Sequence, residues 1–428
     1  MSPNSSKTSI LPSEDSIPTS LRHTPLTSLA RKLLFAQLGK ISEVYLTLID
    51  AQGTYHFGSS ANTNSLRATL HIHHPQLYAD AAFGGSVGAG EAYIRGLWTC
   101  DDLVSLVRIF VINREVLNGM DSGWSFISQP FLKLFHFWNR NSKAGSARNI
   151  AAHYDIGNEL YELMLDETMA YSCGIFDSPE TSLYQASLAK FEAACRKLDL
   201  KPSDHLLEIG TGWGGLAIYA AQHYGCRVTT TTISSQQYAL AKAKIHAAGL
   251  SDRITLLQQD YRDLTGQYDK LVSIEMIEAV GAKFLDTYLS TCARLLKPEG
   301  AMLLQAITIQ DQLYAQALKS VDYIQRFIFP GSFIPSVNAI SSSLNKATDL
   351  KIFNLEDIGP HYATTLRHWR ERFFANLTKV KQLGYSESFI RMWEYYLCYC
   401  EGGFTERQLG VIQMLLTKPR CRRAVIRG

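Results

Sequence analysis

The stretch LLEIGTGWGGLAIYAA, residues 206–221, joins a short apolar run, a glycine-rich turn and an apolar helical pattern. This order is typical of a strand that leads through a tight turn into a helix. Gly210, Gly212 and Gly215 have the G-x-G-x-x-G spacing of a dinucleotide-binding turn. Strand-like and helical segments alternate from residue 150 onward. The alternation predicts a doubly wound, mostly parallel α/β sheet with its ligand at the carboxyl ends of the strands.

Two nearby features indicate which ligand the glycine turn holds. A dinucleotide fold carries an acidic residue at the end of its second strand, about 20 residues further on, but the stretch TTTTISSQQ, residues 229–237, contains none. Glu208 instead precedes the turn, in an E-x-G-x-G-x-G pattern with Gly210, Gly212 and Gly214. A carboxylate there can attract an ammonium or sulfonium group, and the helix N-terminus can receive a carboxylate. Both features favour S-adenosylmethionine over NAD.

The bulk composition excludes several classes of protein. With 428 residues, 46% hydrophobic and 19% charged, the chain is an ordinary globular one, and its net charge of +3 is too small to indicate a nucleic-acid partner. Its eight cysteines form no C-x-x-C pair and no zinc-ligand spacing, so we predict no metal site and a reducing compartment. The N-terminus lacks the order of a signal peptide, and no apolar run reaches the roughly 18 residues of a membrane span. A cytoplasmic location follows.

Shifts in composition divide the chain into four parts. We predict a Ser/Pro/Thr-rich disordered tail at 1–25, a small N-terminal domain at 26–138, a polar linker at 139–148 and a catalytic domain at 149–428.

The small domain begins with the segment LTSLARKLLFAQLGKI, residues 26–41, which has apolar residues at helical spacing beside Arg31 and Lys32. Two interpretations are open. The helix packs on its own domain, or it is a basic amphipathic helix that contacts anionic lipid.

The rest of the small domain has mixed patterns. Residues 43–58 and 66–73 alternate in the manner of strands. Residues 83–112 predict a glycine-dense loop followed by an apolar helix that Asp101 or Asp102 caps.

Several motifs of the chain resemble, in order and spacing, those of the cyclopropane fatty acid synthase family. They are HYDIGNELYELMLDETMAYSCGIF, LEIGTGWGGLA, TISSQQ, QDYRDL and FIFPGSFIPS. The resemblance covers about residues 150–423, and it extends upstream to FGGSVGAGEAYIRGLWTCDDL, which is similar to the family's small lipid-binding domain. It implies a seven-stranded Rossmann-like methyltransferase sheet with a smaller α+β N-terminal domain.

The same resemblance implies an activity. The family's enzymes add a methyl group from S-adenosylmethionine as a methylene bridge across the cis double bond of a phospholipid acyl chain, which forms a cyclopropane. We therefore expect unsaturated phospholipid at the membrane surface as substrate, peripheral association with the inner face of the membrane, and no nucleic-acid partner. A homodimer stays open.

Ten residues are expected around S-adenosylmethionine. Glu208 is predicted from the sequence of the turn itself. The other nine are implied by the resemblance, and they would contact the methionine half, the ribose or the adenine of the cofactor. In the order of these regions the nine are Tyr171, Ser172, Gly210, Gly212 and Gly214, then Thr232 and Gln237, then Asp260 and Tyr261.

Methyl attachment to an alkene leaves a carbocation, so a base must remove a proton from the new methyl group. The resemblance implies bound bicarbonate as that base, held by Cys173, Glu278, Tyr362 and a backbone group near Ile274. Glu278 can hydrogen-bond an anion only through a shared proton, which predicts a raised pKa. Gln305 stands where the family has a histidine; it can hydrogen-bond bicarbonate but cannot carry a proton.

The departure at Gln305 leaves the product open. A cyclopropane is expected, with a methylene- or methyl-branched chain as the alternative. A small-molecule amine N-methyltransferase is a rival, because an amine needs only a deprotonating residue. A non-catalytic lipid-binding protein is a third interpretation, which the intact glycine turn and the motif YSC disfavour.

Overall fold

The structure is a computed structural model that describes residues 24–59, 66–116 and 156–426. The predicted linker at 139–148, and the predicted tail up to residue 23, lie outside these residues. The described chain forms two compact units. The first contains the residues up to Val116 together with Ser320–Pro330 and Lys381–Glu406, and the second contains the remainder. Two segments of the predicted catalytic domain therefore group with the N-terminal unit.

The described residues form α-helices and β-strands with the following bounds. The helices are α1 Pro25–Leu38, α2 Gln76–Ile94, α3 Leu103–Ile112, α4 Asn158–Met164, α5 Leu183–Leu198, α6 Gly215–Tyr224, α7 Ser235–Ala247, α8 Leu285–Leu295, α9 Asp311–Ala317, α10 Val337–Ala347, α11 Pro360–Ala375, α12 Leu377–Gln382 and α13 Glu387–Thr405. The strands are β1 Tyr45–Asp50, β2 Gly53–Gly58, β3 Arg67–Ile72, β4 Trp98–Cys100, β5 His205–Ile209, β6 Arg227–Thr232, β7 Ile254–Gln258, β8 Tyr268–Ile274, β9 Leu296–Ile309, β10 Lys351–Asp357 and β11 Leu409–Thr417.

The first unit contains a four-stranded sheet in the order β2-β1-β3-β4. Strand β1 pairs antiparallel with β2 across a tight turn and parallel with β3. The predicted helix at its start is confirmed as α1, which buries Ala30, Leu34 and Leu38 but leaves Leu26 and Leu29 about half exposed. One face of α1 is thus packed, and the other presents leucines to solvent.

The predicted glycine-dense loop is wrong. Its glycines lie within α2, which kinks at Gly85, where φ is +60°. A left-handed residue inside an otherwise helical segment is tolerated by glycine, so the glycines bend a helix instead of forming a loop. The predicted cap of α3 is confirmed at Asp102, whose side chain accepts the Ser105 N–H.

The second unit contains the predicted seven-stranded sheet, in the order β10-β11-β9-β8-β5-β6-β7. The five strands from β9 to β7 in this order pair parallel, whereas β11 and β10 pair antiparallel. Most of their residues are buried because helices cover both faces, which explains the long apolar or threonine-rich runs. The carboxyl ends of β5, β6, β7 and β8 meet at one edge, where the site residues lie.

No helix in the described part of the chain is long and apolar enough to cross a membrane.

Candidate active site

The glycine turn follows β5 and leads into α6. Gly210 has φ of +103° and Gly212 has φ of +52°, which side chains rarely adopt. The N–H groups of Gly210 and Thr211 both donate to the carbonyl of Thr231, which holds the turn against β6. A Cβ added at Gly212 would meet no atom within 4 Å, so this side of the turn is open to a ligand.

An aromatic group holds Tyr171 next to this turn. The Trp213 indole, from the turn itself, donates to Asn158 Oδ1 at 2.9 Å. The ring of Tyr161 lies 4.9 Å from the ring of Trp213 and 5.2 Å from that of Tyr171. Tyr171 also packs on Trp369, at 5.0 Å. Tyr171 therefore lies close to the turn, and its contact with the ligand of the turn stays a prediction.

Ser172 and Glu208 bind protein groups. Lys190 Nζ donates to Ser172 Oγ at 2.6 Å, and the Thr230 hydroxyl donates to Glu208 Oε2 at 2.5 Å. Burial raises the pKa of Glu208 to about 8. Burial thus favours the neutral form of this carboxyl, and the counter-charge role that the sequence predicts for Glu208 stays a prediction.

The next two strand ends carry the residues expected at the ribose and the adenine. After β6, the buried Thr232 hydroxyl donates to Gln237 Oε1 at 2.8 Å. After β7, the two oxygens of Asp260 accept two bonds from the Arg262 guanidinium, at 2.8 and 2.7 Å. Tyr261 packs edge-on against Tyr288, at 5.4 Å. All four predicted residues therefore lie along the edge that begins at the glycine turn.

A carboxylate that sequence reasoning missed lies at the end of β8. Glu275 Oε1 accepts the Cys173 N–H at 2.9 Å and the Gln305 side-chain amide at 2.8 Å. Its Oε2 accepts the Tyr362 hydroxyl at 2.8 Å. Burial raises the pKa of this carboxyl above its ordinary value, and the residue's φ of +48° lies in the left-handed region. Three residues predicted to hold bicarbonate thus converge on a side chain of the protein.

Glu278 forms the second member of a carboxyl pair. Its Oε1 accepts the Ile307 N–H at 2.5 Å, while its buried Oε2 has no hydrogen-bond partner among the described residues. Burial, and then the charge of Glu275, raise its pKa to about 8, as the sequence predicted. The backbone donor beside Glu278 is Ile307 on β9, whereas Ile274 lies in the β8–β9 ladder opposite Gln305.

The thiol of Cys173 points to backbone carbonyls. It donates to the carbonyl of Gly174 at 3.3 Å, with a longer contact of 3.8 Å to that of Ile358. Burial raises the pKa of this thiol well above its ordinary value, so the thiol stays protonated. Cys173 therefore serves Glu275 through its backbone N–H.

A chain of amides leads from the protein surface to Glu275. Lys197, which also pairs with Glu356, donates to Gln413 Oε1 at 2.5 Å. Gln413 Nε2 donates to Gln305 Oε1 at 2.9 Å, across the β9–β11 pair. An ammonium group can only donate, so it fixes the orientation of the first amide, and that amide fixes the next. Gln305 must therefore present its NH₂ group to Glu275.

Comparison with known proteins identifies the family. The family model of mycolic acid cyclopropane synthetases matches residues 141–414, well over half of the chain. The chain belongs to this family. It is an S-adenosylmethionine-dependent methyltransferase of the cyclopropane-fatty-acyl-phospholipid synthase type.

Individual relatives agree with this assignment. A tuberculostearic acid methyltransferase of Mycobacterium tuberculosis is 37% identical over 374 residues, which cover 85% of this chain and 87% of the relative. The cyclopropane-fatty-acyl-phospholipid synthase of Escherichia coli is 36% identical over 364 residues, which cover 84% and 90%. The structure of a mycolic acid cyclopropane synthase complexed with SAH and CTAB is similar, with a TM-score of 0.60 and 28% identity, over 64% of this chain and 98% of that one.

The residues present fit S-adenosylmethionine. The open side of the turn at Gly212, the adjoining Tyr171 and the strand ends at Thr232 and Asp260 form one continuous edge of the sheet. When bound, S-adenosylmethionine supplies a methyl group on a positively charged sulfur. This fit and the family assignment favour S-adenosylmethionine over NAD as the ligand of the turn.

Bicarbonate does not fit the site in which it was expected. The Cys173 N–H, the Gln305 amide and the Tyr362 hydroxyl already donate to Glu275, and the Ile307 N–H donates to Glu278. A second anion about 4 Å from the Glu275 carboxylate would be repelled by about 4 kcal/mol at an effective dielectric constant of 20. The donors predicted for bicarbonate are satisfied by the protein itself.

Glu275 and Gln413, which both bond to the Gln305 side chain, are site residues that sequence reasoning missed. The stretch EMIE, 275–278, places two acids three residues apart at the end of a predicted strand, and this pair of acids was the available signal for Glu275. Gln413 lies in an apolar strand 108 residues from Gln305, and no local pattern marks it.

Proposed function

We propose that the protein transfers a methyl group from S-adenosylmethionine to the cis double bond of an unsaturated phospholipid acyl chain and closes a cyclopropane ring. Two observations carry the proposal. The chain is 36% identical, over 84% of its length, to a cyclopropane-fatty-acyl-phospholipid synthase, which favours an alkene over an amine as acceptor. A pair of carboxyl groups, Glu275 and Glu278, lies at the strand end beside the glycine turn. Methylation of an alkene leaves a carbocation, and a ring forms only when a base removes a proton from the new methyl group. A carboxylate that accepts three hydrogen bonds, and whose pKa is raised by burial, supplies such a base.

A second product is favoured by one observation. The tuberculostearic acid methyltransferase and the cyclopropane-fatty-acyl-phospholipid synthase are almost equally identical to this chain. A methylene- or methyl-branched acyl chain is therefore the alternative product. A methylene branch would arise if a hydride moved between the two former alkene carbons and the new methyl group then lost a proton. A methyl-branched alkene would arise if a neighbouring chain carbon lost the proton instead.

The first unit supports the choice of a lipid substrate. Leu26 and Leu29 are 55% and 49% exposed on α1, beside the exposed Lys32. Apolar side chains next to a basic one suit the surface of an anionic membrane. We propose peripheral binding to such a surface, at the inner face of the membrane, and expect the double variant Leu26→Asp, Leu29→Asp to sediment less with anionic vesicles. Unchanged sedimentation would assign the contact to another surface.

The activity is tested with the purified protein, S-adenosylmethionine and vesicles of a phospholipid with cis-monounsaturated chains. Mass spectrometry should find acyl chains that have gained one CH₂ group. Chemical cleavage at double bonds then separates a ring, which resists it, from a methylene branch, which does not. Methylation of added amines without any lipid product would favour the N-methyltransferase instead.

A further inference from the structure

The Glu275 carboxylate lies where the sequence predicted a bound anion. Its three donors are the backbone of Cys173, the side chain of Gln305 and the side chain of Tyr362, and the sequence had assigned these same residues to bicarbonate. A carboxylate and bicarbonate both offer two planar oxygens to such donors. The side chain reproduces the part of bicarbonate that accepts hydrogen bonds.

We propose that Glu275 is the base of this enzyme, which removes the proton from the transferred methyl group without bicarbonate. The proposal rests on the proposed function, since it names the residue that completes alkene methylation.

The hydrogen bonds assign the ionised form to Glu275. The amide chain that starts at Lys197 makes Gln305 a donor, and the Cys173 N–H can only donate, so Glu275 Oε1 must accept twice. Glu278 accepts one bond through Oε1, and its second oxygen is buried without a partner among the described residues. Two neighbouring carboxyls do not both ionise readily, and the one with more donors keeps the charge. Burial raises the pKa of Glu275 above its ordinary value as well, but its three donors favour the charged form. Glu275 is thus the member of the pair that ionises first, beside a neutral Glu278.

The backbone at Glu275 is a second, independent sign of function. A φ of +48° is unfavourable for a residue with a side chain, and glycine would adopt it freely. Strained residues of this kind persist where the surrounding structure holds them, and they concentrate at active sites. The side chain at this position accepts hydrogen bonds from Tyr362 and Gln305.

The step balances without another reactant. The alkene π pair forms the new carbon–carbon bond to the methyl carbon as the carbon–sulfur bond breaks, and that pair stays on the sulfur of S-adenosylhomocysteine. The positive charge passes to the other alkene carbon. The Glu275 carboxylate takes a proton from the new methyl group, and the freed C–H pair closes the ring. The proton on Glu275 must return to solvent once the product has left, which restores the carboxylate for the next turnover.

The test compares variants in buffer freed of carbon dioxide. The wild-type enzyme should methylate the lipid equally well with and without added bicarbonate. Glu275→Gln should lose about 100-fold or more in turnover yet keep its affinity for S-adenosylhomocysteine, while the exposed Glu299→Gln serves as the matched control. Glu275→Gly, which opens the site and relieves the backbone, should recover turnover when bicarbonate is added.

Two results would overturn the assignment. They are a wild-type enzyme whose turnover needs bicarbonate, and a Glu275→Gln enzyme with full turnover. Binding of ¹³C-bicarbonate, followed by NMR, needs no lipid substrate. It should be absent for the wild type and present for Glu275→Gly, and binding by the wild type would also overturn the proposal. A protein that gives no lipid product under any condition, yet excludes bicarbonate, would refute the proposed function alone.

Discussion

Replacing Glu278 with glutamine should make the enzyme more stable at high pH. The pKa of this carboxyl is about 8 in the folded protein, against an ordinary value of 4.5. Between these values the folded protein keeps a proton that the unfolded chain has lost, so stability falls as pH rises. Each pH unit in this window lowers the free energy of unfolding by up to about 1.4 kcal/mol, and above pH 8 the full penalty is on the order of 5 kcal/mol.

Glutamine has nearly the shape of the neutral Glu278 side chain but cannot lose a proton and become charged. Its oxygen can accept the Ile307 N–H as Glu278 Oε1 does. The free energy of unfolding of Glu278→Gln and of the wild type should be measured by urea denaturation at intervals from about pH 5 to about pH 8. The difference should grow with pH in favour of the variant, and it should shrink in a Glu275→Gln background, where the repelling charge is absent. Parallel curves for the two proteins would refute the raised pKa, and Glu299→Gln controls for the loss of one charge.

Three further predictions concern the rest of the site. Calorimetry should detect binding of S-adenosylhomocysteine and no binding of NADH. Gly212→Val should abolish the binding of S-adenosylhomocysteine, because φ of +52° excludes a branched residue. Binding of NADH would contradict the assignment of the turn. Cys173→Ala should lose less than about 10-fold in turnover, since its N–H still donates to Glu275 and one hydrogen bond contributes about 1 kcal/mol; a loss as large as that of Glu275→Gln would assign the chemistry to the thiol. Lys190→Met should lower the free energy of unfolding by about 1–3 kcal/mol, because it removes the donor to the buried Ser172 hydroxyl. An unchanged urea midpoint would show that this hydrogen bond does not stabilise the fold.

The sheet was predictable from sequence because its signals are local. Strands buried on both faces read as apolar or threonine-rich runs, and the turn after residue 209 has glycines at positions of positive φ. The glycine-rich stretch near Gly85 was wrongly predicted as a loop, because a local cluster of glycines is compatible with a helix kink as well as with a loop. The two later segments that join the first unit have no such signal, because their grouping depends on long-range packing.

The site was predictable only in part. Tyr362, Gln305 and Glu278 were found by motif, and the structure brings all three to the end of β8. What the sequence could not show is the direction of each contact. Cys173 presents its backbone instead of its thiol, and Glu275 takes the hydrogen bonds expected for a bound ion. Such choices depend on which groups meet in space across distant strands.

The left-handed backbone at Glu275 has a consequence for reading other sequences of this family. A chain that takes its base from solution has no need of a side chain there, and glycine would relieve the strain. A chain that carries its own base must keep an acid at this position and tolerate the strain, which is about 1 kcal/mol for one residue. The residue type at the position of Glu275, directly after β8, therefore indicates whether a relative uses its own side chain or a dissolved ion as the base. In a chain with an acid here, we expect an amide where Gln305 stands, because a donor is what that carboxylate needs.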